Sequence, residues 1–456
     1  MLKKISLAVL ATAVSASAFA ADNADNSIQA QITQLKQEIA ALKANQNEAQ
    51  GKKAQPAYQK DTNGDEQNVT VPTNQGQIQN FLFSDIHDGV VPMGMLSSSQ
   101  FALGLLKQRN IYKDEALVFG GYLEADAQTW HGSSINTLKS DVVDNISGPV
   151  YQSGKGIYIT TATLYTAANL GHYVTAELSL SGNQNDNPSV SDALVMFGNL
   201  ADFPVYATIG KNRIPLGSFA GGGPWTGSLT QMLFRPSRVA NASVAYYGQG
   251  LSTNVTLFQT NDHTSDFSYA AFYAGESGKW AYGVNGGYIY NVSGSGNNTF
   301  NALTQTEDSN DNRTATNRIG AVNFEGSLNY DIYGVGAGWA QTTNKSSATN
   351  NGLAGAWYVT AGVSPEIYGR STNFSLSYNG AYNTNDLPIT LSGSSVNSYT
   401  TDPNSGVGTG VNKMVIASVQ RPFFTENVLL GLEYAYMHMY NNQHTNAYTL
   451  DVSVYF

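Results

Sequence analysis

From Phe203 to Asn261 the chain carries no Asp or Glu, yet it holds Lys211, Arg213, Arg235 and Arg238. Cations without neighbouring acids act by Coulomb attraction: beside a confined aqueous path they draw in anionic solutes, and at a membrane rim they bind lipopolysaccharide phosphate. The four flank one stretch, 214–240, whose Gly221-Gly222-Gly223-Pro224 bends in ways other residues resist. Folded inward, that stretch would set them around a pore constriction. Acids stand elsewhere. Glu124, Asp126, Glu177, Glu325, Glu433 and Asp451 fall on the polar side of alternating segments and would oppose the cations across a lumen. No G-x-S-x-G elbow, H-E-x-x-H pair or Walker loop occurs, so no enzyme and no cofactor are expected. The chain lacks cysteine, which removes disulfides, thiolate metal sites and thiol nucleophiles. Its six histidines are His87, His131, His172, His263, His438 and His444. His87 lies among Asp85 and Asp88, and His438 and His444 bracket one turn, but both read as solvated turns and no metal-ligand set is assigned.

The elements that must position these residues show in the period of the sequence. Val322, Phe324, Leu328 and Tyr330 alternate with Asn323, Glu325, Ser327 and Asn329. Phe374, Leu376 and Tyr378 alternate with Asn373, Ser375, Ser377 and Asn379, and Tyr448 to Phe456 repeats the pattern. Period two with one apolar face means half-exposed strands. Of 456 residues only 12% are charged, about half the ~25% of a soluble domain, and 50 are aromatic. Lipid outside and water inside accounts for both facts, and only a closed sheet satisfies its backbone in lipid. Sixteen candidate strands follow one another between 117 and 456, with connections that alternate long and short. The long ones, near 131–155, 214–240, 292–316, 342–354 and 384–410, all leave from one end. The fold class expected is therefore all-β, a transmembrane antiparallel β-barrel of about sixteen strands.

Ahead of the barrel the composition changes four times. Residues 1–20 read as a signal peptide, with Lys3 and Lys4, an apolar run and Ala18-Phe19-Ala20 before the cut. Its removal leaves a net charge of −12, the wrong sign for a nucleic-acid partner. Residues 27–49 space Ile28, Ile32, Leu35, Ile39 and Leu42 as a coiled-coil seam, which predicts a short helix that self-associates in a homo-oligomer. Residues 50–77 read as a flexible linker, and 78–116, with its apolar cluster around Phe81 to Leu96, as a plug or periplasmic segment. The chain ends on Phe456, an aromatic terminus that resembles the assembly signal read by the barrel-assembly machinery of the outer membrane.

This order of parts resembles the outer-membrane porin superfamily. Gly210-Lys211-Asn212-Arg213-Ile214-Pro215-Leu216-Gly217 looks like the stretch that ends a strand before the constriction loop in such porins. More narrowly, the coiled coil, the segment from Phe83 to Arg109 and Phe119-Gly120-Gly121-Tyr122-Leu123-Glu124 are similar to FupA/FslE-type iron-uptake proteins. The resemblance implies uptake of small solutes across the outer membrane, with iron or an anionic ferric carboxylate complex as the cargo. The rival expectation is a non-conducting surface protein, an adhesin or envelope tether, using the long loops and the coiled coil.

Overall fold

The computed structural model describes the chain from Leu117 to Tyr455, apart from 137–149, 301–304, 308–312, 391–397, 400–409 and shorter loop gaps. It also describes Leu106, Asp114 and the strand pair Thr70–Pro72 and Val90–Pro92. The signal-peptide and coiled-coil assignments and Phe456 lie outside the described residues, as do the linker apart from Thr70–Pro72 and the 78–116 segment apart from Val90–Pro92, Leu106 and Asp114.

Sixteen strands close into one antiparallel barrel. In chain order they are β1 (Leu117–Asn136), β2 (Val150–Asn169), β3 (Val174–Gly182), β4 (Ser189–Phe197), β5 (Val205–Arg213), β6 (Arg238–Gly248), β7 (Leu251–Gln259) and β8 (Ser265–Ser277). The second half comprises β9 (Trp280–Ile289), β10 (Ala321–Tyr330), β11 (Tyr333–Thr342), β12 (Gly355–Val363), β13 (Asn373–Tyr382), β14 (Val411–Pro422), β15 (Val428–Met439) and β16 (His444–Tyr455). Each strand pairs with the next, and the seam closes β16 on β1 from Thr445↔Gly132 to Tyr455↔Tyr122. A closed sheet leaves no unpaired edge, which is what a lipid environment demands of a β-structure.

The alternation read from the sequence sets the two faces. Phe324 and Leu376 point outward and stay more than half exposed, whereas Asn323 and Asn379 on the same strands point inward and are fully buried. Tyr246, Tyr273, Trp280, Tyr330 and Tyr333 crowd the outer face near the short turns, where an aromatic belt suits a membrane interface. At that end the turns are tight. Gln249 and Gly250 both take positive φ, 52° and 80°, and a side chain at 250 would meet the Ala274 carbonyl at 2.1 Å. That is the backbone of a two-residue hairpin turn matched to strand twist.

The five long connections do leave from the other end. Strict alternation of length does not hold, because 183–188, 260–264 and 440–443 at that same end are as short as the turns opposite. The first two strands also run further toward the long-loop end than the sequence pattern indicated, to Asn136 and from Val150. The ladder shifts register there, between His131 and Ile135.

Candidate functional site

The connection between β5 and β6 turns into the barrel. Its sequence forces this: Ile214, Leu216, Phe219, Trp225, Leu229, Leu233 and Phe234 are too many apolar side chains for a loop left in water, and all are buried. Inside, Ser228 caps a single turn of helix, α1 (Leu229–Phe234), by accepting from the Gln231 amide at 3.2 Å. Pro236 follows, and the helix stops. Leu229, Leu233 and Phe234 join one apolar cluster with inward residues of the far wall, including Ile289 on β9, Met414 and Ile416 on β14, and Met437 on β15. Phe300, from the connection between β9 and β10, tilts against Phe234 with ring centroids 5.4 Å apart. Asn297 donates to the Leu233 and Arg235 carbonyls at 3.0 and 2.9 Å, and the Thr299 hydroxyl donates to Met232 at 3.0 Å. The carbonyls left open at the helix end are thus satisfied by a second loop.

Two of the expected lumen acids hold the loop. Glu325, on β10, accepts from the Phe219 and Ala220 amides at 2.7 and 3.2 Å, from the Tyr358 hydroxyl at 3.0 Å, from Asn323 at 2.8 Å and from the Ser218 hydroxyl. Glu433, on β15, accepts from the Trp225 and Thr226 amides at 2.9 and 3.0 Å. Between them Asn379 accepts from the Leu229 amide at 3.1 Å, and Ser377 donates to the Gly221 carbonyl. Bonds from amides to carboxylates are charge-assisted and so stronger than those between neutral groups. Gly221 sits at φ 82°, and a Cβ there would meet the Tyr358 ring at 2.1 Å, so the close pass of loop and wall needs glycine at this position.

The remaining acids gather elsewhere. Glu124 and Asp126 on β1 and Asp451 on β16 place one carboxylate oxygen each within 4.8 Å of one another, next to the barrel seam. Asp126 bonds the Thr160 hydroxyl, Glu124 the Tyr122 hydroxyl, and Ser453 donates to Asp451 at 3.2 Å. An all-oxygen set of this kind suits a hard cation. Glu177 faces the lumen from β3, and neither of its oxygens has a hydrogen-bond partner among the described residues.

Three of the four expected cations meet at the root of the loop. Arg213 pairs in register with Arg238 and donates to the Pro236 carbonyl at 2.7 Å. Arg238 forms an ion pair with Asp192, 2.8 Å from nitrogen to oxygen. Arg235 lies in the loop and pairs with no carboxylate among the described residues. Lys211 does not belong with them. It shares the outer face of β5 with Ile209, is exposed, and donates to the Val190 carbonyl at 2.8 Å. Period two gives 211 and 213 the same face, so it is the position of Arg213 at the strand end, next to the loop, that separates the two. Asp192 was missed as the acid of this group, although its place among the inward-facing Leu194 and Met196 follows from the same period.

His172 was also missed. In the β2–β3 turn its Nε2 lies 2.7 Å from Asp202 and its Nδ1 3.2 Å from Asp114, which precedes β1. His438 and His444 face each other across β15 and β16, and His438 Nδ1 bonds Asn412 at 2.8 Å.

Residues 50–322 match the model of a family described as "Protein of unknown function (DUF3573)". No curated protein matches the chain in sequence. Solved structures of similar fold include OmpF of Salmonella typhi, in complex with daunomycin, at 12% identity over 76% of this chain and 99% of that one, TM-score 0.48. The outer-membrane channel DcaP of Acinetobacter baumannii is 11% identical over 75% and 97%, TM-score 0.47. An anion-selective porin from Comamonas acidovorans is 10% identical over 75% and 100%, TM-score 0.46. At such identities the likeness is one of fold alone.

Proposed function

The chain belongs to the DUF3573 family, and from that premise we propose that it is an outer-membrane channel for small solutes rather than an enzyme. One observation carries this reading. Inward-facing polar atoms on β1, β3 and β7 lack protein partners among the described residues: both oxygens of Glu177, one each of Asp126 and Gln128, the Asn254 side-chain oxygen and the Thr256 hydroxyl. A buried carboxylate with no donor must be met by water, a proton or a cation, and a hydrated lumen along these strands supplies the first.

The path runs past Arg213, Arg235 and Arg238, which outnumber Asp192 and favour anions at the loop root. The long-loop end faces the cell exterior, where lipopolysaccharide phosphate would meet Lys211, and the short-turn end faces the periplasm together with the N-terminal segment. The resemblance to FupA/FslE-type proteins directs the solute toward iron. The arginines suit a ferric polycarboxylate, and Glu124, Asp126 and Asp451 suit the bare cation. Assembly by the barrel machinery and homo-oligomerisation through the Ile28–Leu42 seam complete the proposal.

Single-channel recording in planar bilayers tests it. Anion-selective current is expected under a salt gradient, with the reversal potential moving toward cations in Arg213→Ala and Arg235→Ala. Iron-limited growth then separates a general channel from an iron importer. The inserted loop and its apolar cluster favour one alternative, a non-conducting surface protein such as an adhesin or envelope tether. A folded barrel that passes no current would establish that alternative.

A further inference from the structure

The polypeptide enters the barrel through Asp114, three residues before β1, and this lead-in is tied to the short-turn rim at two points. Leu106 is fully buried against Leu194 and Met196, both inward-facing on β4, with Leu200 and Tyr206 beside them. Asp114 accepts the Gly171 amide on its carbonyl at 2.8 Å, and its carboxylate faces His172. The same imidazole reaches Asp202 in the turn that follows β4. His172 therefore joins three pieces of chain: the lead-in, the β2–β3 turn and the β4–β5 turn.

The protonation state decides how many of these it can hold. Nε2 has two neighbours with opposite demands, the Asp202 carboxylate at 2.7 Å and the Asn199 amide nitrogen at 3.0 Å. The orientation of Asn199 is fixed, because its oxygen accepts from the Ala201 amide at 3.1 Å. An imidazolium donates from both nitrogens and satisfies Asp202 and Asp114 together. A neutral ring has one N–H, so one carboxylate must face a lone pair, and Asn199 then donates to Nε2. The ionisable groups facing His172 among the described residues are Asp114 from the lead-in, Asp202 from the β4–β5 turn and Tyr173 from its own turn, ring edge-on at 4.6 Å.

We propose that His172 is a proton-operated clamp that fixes the barrel's lead-in to the rim when charged and slackens it when neutral. The hydrogen bond to Asp202, and after it that to Asp114, raises the pKa of His172 above its ordinary value. With the native value raised, the contact is fully present below the free histidine pKa of about 6.5 and is lost as pH rises through the native value. Acid tightens the clamp, and alkali loosens it. The clamp thus governs how firmly Asp114 is held at that mouth of the lumen.

Hydrogen exchange tests this without any need for conduction. In the full-length folded protein the Gly171 amide, corrected for the intrinsic pH dependence of exchange, should lose protection severalfold between pH of about 6 and about 8.5. The peptide spanning 106–116 should follow it. His172→Gln should give flat profiles, and Asp202→Asn, which keeps the shape but removes a charge, should move the transition to lower pH. Titration of His172 by NMR at or below its ordinary value, or an unchanged exchange profile in His172→Gln, would overturn the proposal.

Discussion

Removing the carboxylate of Glu325 should loosen the inserted loop without opening the barrel wall. In Glu325→Ala the hydroxyls of Ser218 and Tyr358 can turn toward other acceptors, but the Phe219 and Ala220 amides cannot. Each buried donor left unmade costs about 1–3 kcal/mol, so two give roughly 2–6 kcal/mol, the upper end applying if no water reaches them. Glu325→Gln keeps one acceptor for Phe219 but turns an NH2 toward donors, and loses the assistance of charge, so about 1–3 kcal/mol is expected. Because Glu433 anchors the same loop, the double variant should cost less than the sum of the single ones. Trp225 lies in the loop and is 7% exposed, so its emission reports the event once Trp225→Phe supplies the background. Urea unfolding in detergent, followed by that emission, gives the magnitude. If Glu325→Ala unfolds at the wild-type midpoint with unchanged Trp225 emission, the loop is held by its apolar contacts and the assignment of Glu325 as an anchor is wrong.

Phe300→Ala should cost about 3–5 kcal/mol in the same unfolding measurement, since the ring is fully buried against Phe234 and its loss leaves a cavity. Gly221→Ala should displace the loop by forcing a methyl into the Tyr358 ring, and a second change, Tyr358→Ala, should recover part of the Trp225 signal. On the outer face, Leu432→Arg places a charge at a mid-strand position that is 57% exposed, and should destabilise the barrel in lipid by about 2–4 kcal/mol. Equal stability of that variant in bilayers would mean that Leu432 does not face lipid.

Most of the barrel was legible in the sequence because strand period and lipid exposure report the same thing twice. Where one face is aromatic and the other Asn or Ser, as at Phe374 to Asn379, the inward side needs no further information. The reading fails where both faces are apolar. On β15 Tyr434 and Tyr436 point outward while Ala435 and Met437 point inward and are buried, so the sequence looks lipid-facing throughout and hides the dry cluster. The period gives the face of the six acids, yet the role of Glu325 and Glu433 depends on backbone amides of a loop more than a hundred residues away. Lys211 was grouped with the arginines by proximity in the chain, and strand period could not separate it from Arg213, which shares its face and differs only in lying at the strand end. His172 gave no signal, since its partners Asp114 and Asp202 lie 58 and 30 residues off in opposite directions.

The two-point seating of the loop bears on how such a barrel can be assembled. The loop is built from residues 218–229, while its anchors lie 105 to 208 positions later, on strands of the second half. Contacts this distant in sequence form late, because the intervening chain must first be ordered. Until β11, β12 and β13 are in place, Leu229, Leu233 and Phe234 lack the wall they pack against. Should β16 join β1 with the loop still outside, those residues would remain in water with no path inward. Docking of the loop must therefore precede closure of the seam, and the strands of the second half act as the template on which a segment from the first half is stored.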